Sequence, residues 1–324
     1  MKHFIIFLFF SSLISYGQNT NKQASKQTMS LKKEIIKIIK KNSLYTDSLN
    51  WKQIKEESNT LQLSDNDSIS QAMLFDFFTL KLREAGDKHS FFISGKSIAK
   101  RSKQPIDVQP EGRYAGDGIG MIKVPHCLSF DVAKDIEFAN TIRAEIEKTD
   151  KENNISGWIV DLRHNTGGNM WPMLAGLNAL TDDGTTGYFV SPDLKRKTPW
   201  ITQNGALNTF REKAIINDYT ITNKQVKIAV LIDSLTASSG EMTTISFIGL
   251  PNVKTFGYTS AGYTTANNTI NLSNGSQLYL ASSFVSDRTG KLYPDNIVPD
   301  VLINNNSGQS NDDVMNIAKK WLLE

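Results

Sequence analysis

The chain of 324 residues holds one cysteine, Cys127, and only four histidines. A lone cysteine excludes an intramolecular disulfide and any metal site built on cysteine pairs, so an exported chain of this kind must be stable on packing alone. An excess of charge of one sign is also missing: 36 Lys+Arg stand against 33 Asp+Glu, a formal balance of +3. With no run of Lys/Arg interleaved with aromatics, that balance gives no reason to expect a nucleic-acid partner. No glycine-rich phosphate loop is present, and His89, His126 and His164 are not at ligand spacing, so neither a metal nor an organic cofactor is expected. Sustained heptads and fixed-period repeats are missing as well. What remains, at 39% hydrophobic and 21% charged residues, is the composition of an ordinary globular protein of about two domains.

The longest apolar run is N-terminal, from Phe4 to Ile14, after Lys2 and before Ser15-Tyr16-Gly17. About 11 apolar residues cannot cross a bilayer that needs roughly 20. A positive start, an apolar middle and a small residue at the end read as a secretory signal, 1–17, cut after Gly17. The mature chain is therefore expected to be exported, periplasmic or secreted, with no membrane span, and no cysteine near the cut could carry a lipid.

Residues 18–30 read as a flexible polar head. Leu31, Ile35, Ile38 and Ile39 then recur at helical spacing amid Lys32, Lys33, Lys37, Lys40 and Lys41, a basic amphipathic helix whose charged face is either solvated or laid on a membrane. Helical patterns over Asp47 to Glu57 and Ser68 to Arg83, the latter capped by Ser64 or Asp65, complete a small helical domain, 31–95. A linker, 96–115, follows. From Gly116 onward, short apolar runs such as GIGMIKV, GWIVDLR and KIAVLID alternate with helical stretches, which argues an α/β core, 116–324, around a largely parallel, buried sheet. About 25 residues separate Ser90 from Gly116, too few for an inserted domain of ordinary size.

Two strand ends could carry chemistry. Ile159-Val160-Asp161-Leu162-Arg163-His164-Asn165-Thr166-Gly167-Gly168 ends in paired glycines that permit a tight turn with exposed backbone. Ala229 to Asp233 runs into Ser234-Leu235-Thr236-Ala237-Ser238-Ser239-Gly240-Glu241, which places a serine just before a helix. Backbone N–H groups at such turns bind negative charge, so one loop could supply a nucleophile and both an oxyanion hole. From spacing alone, Ser238 reads first as a helix N-cap. A serine nucleophile needs a base. His3 leaves with the signal, and His126, between Pro125 and Cys127, reads as structural. His164 could line a cleft or be a solvated loop residue. His89, in Gly86-Asp87-Lys88-His89-Ser90, sits on a turn between packed elements. Cys127, in IGMIKVPHCLSF, reads as a buried small hydrophobe.

The first strand end matches a motif like VIDLRxNxGG, Thr236 to Glu241 matches TASxxE, and Gly290 to Asp300 ends in Ile297-Val298-Pro299-Asp300, an I-x-P-D signature. On these motifs, in order over roughly the C-terminal two-thirds, the chain resembles the tail-specific, or C-terminal-processing, serine protease family. The resemblance implies a ClpP/crotonase-like superhelical core with a small helical N-terminal domain and no PDZ insertion, and it makes Ser238 the expected nucleophile. Where the processing branch carries a base lysine, in a TxGK turn, this chain has Thr259-Ser260-Ala261-Gly262-Tyr263; the nearest lysine, Lys254, falls on the strand leading there. Leu82 to Ser90 (LREAGDKHS), preceded by Asn50-Trp51, is more similar to the branch of the tricorn protease core and interphotoreceptor retinoid-binding protein. That match implies His89 as base and Ser90 as its helper. It also implies a supporting acid, Asp295 or else Asp287, with Tyr293 standing where many relatives have Glu.

The same resemblance implies attack on a peptide carbonyl, with the oxyanion held by the amides of Ser239 and of Gly167 or Gly168. Tyr263, with Thr264 and Thr265, is expected to shape the cleft wall, and His164 to line it. Asp161 and Arg163 read as a structural pair fixing the glycine loop, and Glu241 as a favourable partner of the helix dipole. The expected activity is that of a serine endopeptidase acting on flexible or C-terminal polypeptide segments by Ser–His acyl-enzyme catalysis. A catalytically silent module binding a peptide or apolar ligand in the same cleft is the competing reading, since fold does not settle function, and an esterase with the same pair is a third.

Overall fold

The computed structural model describes residues 24–101, 108–129, 131–181, 183–203, 206–207, 219–303 and 311–324, so the expected signal, 1–17, lies outside the described residues. In chain order the elements are α1 (Lys26–Asn42), α2 (Trp51–Thr60), α3 (Asp67–Glu84), β1 (Phe91–Ile93), α4 (Gly95–Arg101), β2 (Glu111–Tyr114) and β3 (Ile119–Lys123). There follow α5 (Val132–Glu152), β4 (Gly157–Asp161), α6 (Met170–Leu177), β5 (Gly184–Val190), β6 (Lys197–Gln203), β7 (Ala206–Leu207), β8 (Lys227–Ile232) and α7 (Ser239–Phe247). The chain ends with β9 (Val253–Gly257), β10 (Ala266–Asn271), β11 (Gln277–Asp287), β12 (Val301–Leu302) and α8 (Asn311–Leu323).

Side chains along a strand point to opposite faces, and the apolar runs of β4 and β8 use both. Trp158, Val160, Ile228, Val230 and Ile232 join Phe138 and Ile142 of α5, Met173 of α6 and Ile245 of α7 in one core. Ile159, Ala229 and Leu231 join Val314, Ala318 and Leu322 of α8 in another. A strand covered on both faces has no polar side to alternate with, which is why these segments read as continuous apolar runs. They lie in a sheet of order β12-β9-β8-β4-β3-β2, parallel except for β2 at one edge. The C-terminal ends of β4 and β8 are neighbours there, and the two loops singled out in the sequence emerge side by side.

A second sheet, β1-β11-β5-β6-β7 with β10 also on β11, is antiparallel throughout. Nothing in the sequence pattern separates its strands from those of the parallel sheet.

The N-terminal helices pack on this second sheet. Leu31, Ile35 and Ile39 of α1 and Leu74, Phe78 and Leu82 of α3 form one buried cluster with Leu272 and with Leu278 and Leu280 of β11. Three helices enclose little apolar surface by themselves, and residues of the sheet complete their core. The helix expected from Leu31 begins at Lys26, where Ser25 Oγ accepts from the Thr28 N–H, so residues 26–30 of the expected flexible head are helical. Thr46–Ser48 forms a short turn of its own and α2 starts at Trp51, capped by Asn50. The cap of α3 is Asn66, whose Oδ1 accepts from the N–H groups of Ser68 and Ile69. Ser64 Oγ is occupied with the Asn66 N–H instead. The stretch expected as a linker, 96–115, contains α4 and β2, and no PDZ insertion stands among its described residues.

Because helices and sheet share one core, Leu74→Ala and Leu280→Ala should each cost about 2–5 kcal/mol. In urea, far-ultraviolet circular dichroism and tryptophan fluorescence should then report a single coincident transition. Two separated transitions would mean that the helices form a unit of their own.

Candidate active site

Ser238 ends the loop from β8 and begins α7 with φ 51° and ψ −119°, a backbone region that L-residues rarely occupy and that surrounding contacts must enforce. Glu241, three residues on and fully buried, supplies them. Its Oε2 accepts from the N–H groups of Ser238 and Tyr263, both at 2.8 Å. Its Oε1 accepts from the Gly262 N–H at 2.8 Å and from the Ser260 hydroxyl at 2.5 Å. Burial pushes the Glu241 carboxyl above the usual glutamate range, and these four donors pull it back. Ser260 extends the clamp: its Oγ accepts from the Ile297 N–H and its own N–H donates to the Ile297 carbonyl. The expected helix-dipole role is only part of what Glu241 does, because three of its partners lie 19 to 22 residues away and no local pattern announces them.

His89 lies on the turn between α3 and β1. The buried Asp87 shapes that turn, its Oδ1 accepting from the N–H groups of His89 and Ser90 and its Oδ2 from the Ser90 hydroxyl. The His89 Nε2 stands 2.9 Å from Ser238 Oγ, and Nδ1 stands 2.8 Å from the Thr265 carbonyl oxygen. A carbonyl can only accept, so Nδ1 carries the proton and Nε2 is left to accept from the Ser238 hydroxyl. Burial lowers the His89 pKa below its ordinary 6.5, while the Thr265 carbonyl and the Asp87 charge oppose that shift. The Tyr263 ring meets the imidazole edge-on at 5.5 Å, so Tyr263 and Thr265 both contact the His89 ring.

Three expected partners are placed otherwise. Ser90 does not touch the imidazole: its hydroxyl donates to Asp87 and accepts from the Ala281 N–H at 2.8 Å, which fastens the histidine turn to β11. Asp295 is not hydrogen-bonded to His89, because the Thr265 carbonyl occupies Nδ1. Its carboxylate is 74% exposed and lies 3.9 Å from Lys88 Nζ. Asp287 is buried but serves its own hairpin, accepting from the Tyr293 hydroxyl and from Thr289 and Lys291. His164 is bound to Asp233. Its N–H donates to Asp233 Oδ1, and its half-exposed ring lies 3.3 Å from Asp233 Oδ2.

The glycine loop is held by Asn165. Its Nδ2 donates to the Val124 and Pro125 carbonyls, and its own carbonyl accepts from the Ala237 N–H, tying this loop to the serine loop. Its Oδ1 accepts from the Gly167 N–H at 2.9 Å, which removes Gly167 from the expected oxyanion donors. The N–H groups of Gly168 and Ser239 donate to no described residue. The Ser239 hydroxyl donates to the Gly168 carbonyl at 2.6 Å, so those two residues are held together. Gly167 has φ 103°, and a Cβ there would come within 2.8 Å of Ser238 Cβ; at Gly168 it would meet the Cys127 carbonyl at 2.1 Å. Asp161 and Arg163 form the expected structural pair, at 2.8 and 2.6 Å. Cys127 is fully buried, its thiol pushed up in pKa, and Lys254 lies over the Trp321 ring.

Replacing Glu241 by Gln turns an amide NH2 toward N–H donors. The variant should lose roughly 1–3 kcal/mol for each donor left unpaired, measured by urea unfolding. Unchanged stability would show that the carboxylate does not hold these loops.

Residues 118–303, more than half of the chain, match peptidase family S41. The nisin-resistance protein of Lactococcus lactis subsp. lactis is 38% identical over 266 residues, which cover 81% of this chain and 79% of that protein. A lipoprotein from Streptococcus agalactiae superimposes with a TM-score of 0.74 at 27% identity, covering 94% of this chain and 99% of the other. The photosystem II D1 C-terminal processing protease shares the fold, with a TM-score of 0.52 at 11% identity over 91% of this chain and 98% of its own. The strand-end motifs, the sheet that sets them side by side and these matches agree: the chain belongs to peptidase family S41.

Proposed function

We propose that the chain is a serine endopeptidase that cuts flexible or C-terminal peptide segments through an acyl-enzyme on Ser238. The observation that carries this reading is the 2.9 Å contact between Ser238 Oγ and a His89 Nε2 that is free to accept. Oγ attacks the substrate carbonyl carbon as its proton passes to Nε2, and the oxygen that becomes negative is held by the N–H groups of Ser239 and Gly168. The C–N bond then breaks as Nε2 returns the proton to the leaving amine. A water, deprotonated by the same nitrogen, hydrolyses the ester and restores the serine.

The imidazolium formed on the way rests on a neutral carbonyl rather than a carboxylate, a weaker hydrogen bond than a charge-assisted one. Together with burial this favours the neutral ring, so His89 is in its base form at neutral pH before substrate arrives. Similarity to a protein named for nisin resistance makes nisin an obvious substrate to offer first. Relatives named as a lipoprotein and a resistance protein support an exported or cell-envelope location, and the signal-like residues 1–17 support a periplasmic or secreted one. No helix among the described residues is long and apolar enough to cross a membrane.

With casein, nisin and simple esters as substrates, Ser238→Ala and His89→Ala should each lower kcat/KM by about 10³-fold or more. Asp295→Asn, which alters an exposed ion pair, should leave it within about threefold. Activity should fall only as pH drops below 6.5, when Nε2 takes up a proton, and stay level through neutrality. A midpoint above 7 would assign the base elsewhere or give it a carboxylate partner. A wild-type chain that cuts none of these substrates while still binding peptide would favour the silent module.

A further inference from the structure

The peptidase chemistry leaves the lysines of α1 unused. At 100° per residue, Lys26, Lys33, Lys37, Lys40 and Lys41 fall within an arc of about 100° on one side of the helix, spread along about 22 Å of its axis. All five are exposed. The opposite side carries Leu31, Ile35 and Ile39 into the core shared with β11. Lys32 belongs to that inner side: it is buried, with Nζ donating to the Ser58 carbonyl and to Asn59 Oδ1. The two carboxylates nearest the stripe are engaged elsewhere. Glu34 accepts from the Ser273 N–H and hydroxyl, and Asp67 accepts from Ser25 and Thr28 at the N-terminal end. The outward face is therefore predominantly cationic, with Glu34 at one edge and the exposed Met29 at the other.

We propose that this face docks on a bilayer surface bearing anionic phospholipid headgroups, with α1 lying flat on it. An aligned row of five ammonium groups, with a single carboxylate at its edge, matches a plane of phosphates, and each lysine near such a surface adds to the attraction. Docking there would fix the attitude of the catalytic turn, because the chain leaving α1 and the His89 turn bind the same residue of β11: the Leu44 N–H donates to the Ala281 carbonyl, and the Ala281 N–H donates to Ser90 Oγ. The attachment is electrostatic and reversible, and it is independent of whether Ser238 and His89 cut peptides.

The test is co-sedimentation of the exported, processed protein with vesicles of phosphatidylcholine, with and without 30% phosphatidylglycerol, at rising NaCl. Binding should require the anionic lipid and be lost as salt screens it. The triple variant Lys33→Gln, Lys37→Gln, Lys41→Gln should bind about a hundredfold more weakly, at about fivefold per lysine. Lys40 is left in place because its Nζ lies 5.9 Å from the Trp51 ring centre. Thermal unfolding and hydrolysis of soluble peptides should be unchanged in that variant, which separates lost docking from lost folding. Equal binding to neutral vesicles, full binding by the triple variant, or capture by soluble polyphosphate without any vesicle binding would each overturn the proposal.

Discussion

A buried carboxylate surrounded by four donors is the contact on which the candidate site depends. Ser238 is held at positive φ, where the backbone would not stay unaided, and the hydrogen bond from its N–H to Glu241 is one of the few things that can keep it there. The other three donors bring in the 260–263 turn, whose Tyr263 borders His89 and whose Ser260 reaches Ile297. Desolvating a carboxylate is costly, and it is tolerated here because nearly every lone pair is directed at an N–H or O–H. One side chain thus sets the serine backbone, the cleft wall beside the histidine and the segment carrying the I-x-P-D motif.

Around that clamp the site is assembled from parts far apart in sequence. Asn165 and the Ser239 hydroxyl join the glycine loop to the serine loop, and both glycines are required by close approach, to Ser238 at one and to the Cys127 carbonyl at the other. The histidine arrives from the helical end of the chain, 149 residues before the serine. Its turn is fixed from below by Asp87, from one side by Ser90 on Ala281 and at the ring by Thr265. The cluster that seats α1 and α3 on β11 therefore also positions His89, and the helical segment is part of the site's architecture.

Much of this was legible in the sequence because its causes are local. The continuous apolar runs of β4 and β8 follow from burial on both faces, and the paired glycines and Ser238 follow from the geometry of a strand-to-helix turn. The turn carrying His89 was legible as a short break after a helix, and its role as base came with the family resemblance. What the sequence misassigned were the directions of individual polar groups. Ser90 beside His89 turns toward Asp87 and β11, Gly167 gives its N–H to Asn165, and Asp295 points to solvent near Lys88. Neighbours in sequence need not be neighbours at the reacting atoms, and a backbone carbonyl such as that of Thr265 leaves no signature in residue type at all.

The sequence by itself determined the α/β class and the two strand-end loops, which rest on periodicity and turn chemistry, and its motifs named Ser238 and His89 through the family they resemble. Only the tertiary structure decided which atoms face them. It put the Thr265 carbonyl at Nδ1 in place of a carboxylate, left the Gly168 and Ser239 N–H groups as the open donors and made Glu241 the hub. These are contacts between segments that no local spacing connects. They are settled by how two sheets and three helices pack against one another, where directional hydrogen bonds select one arrangement of the loops.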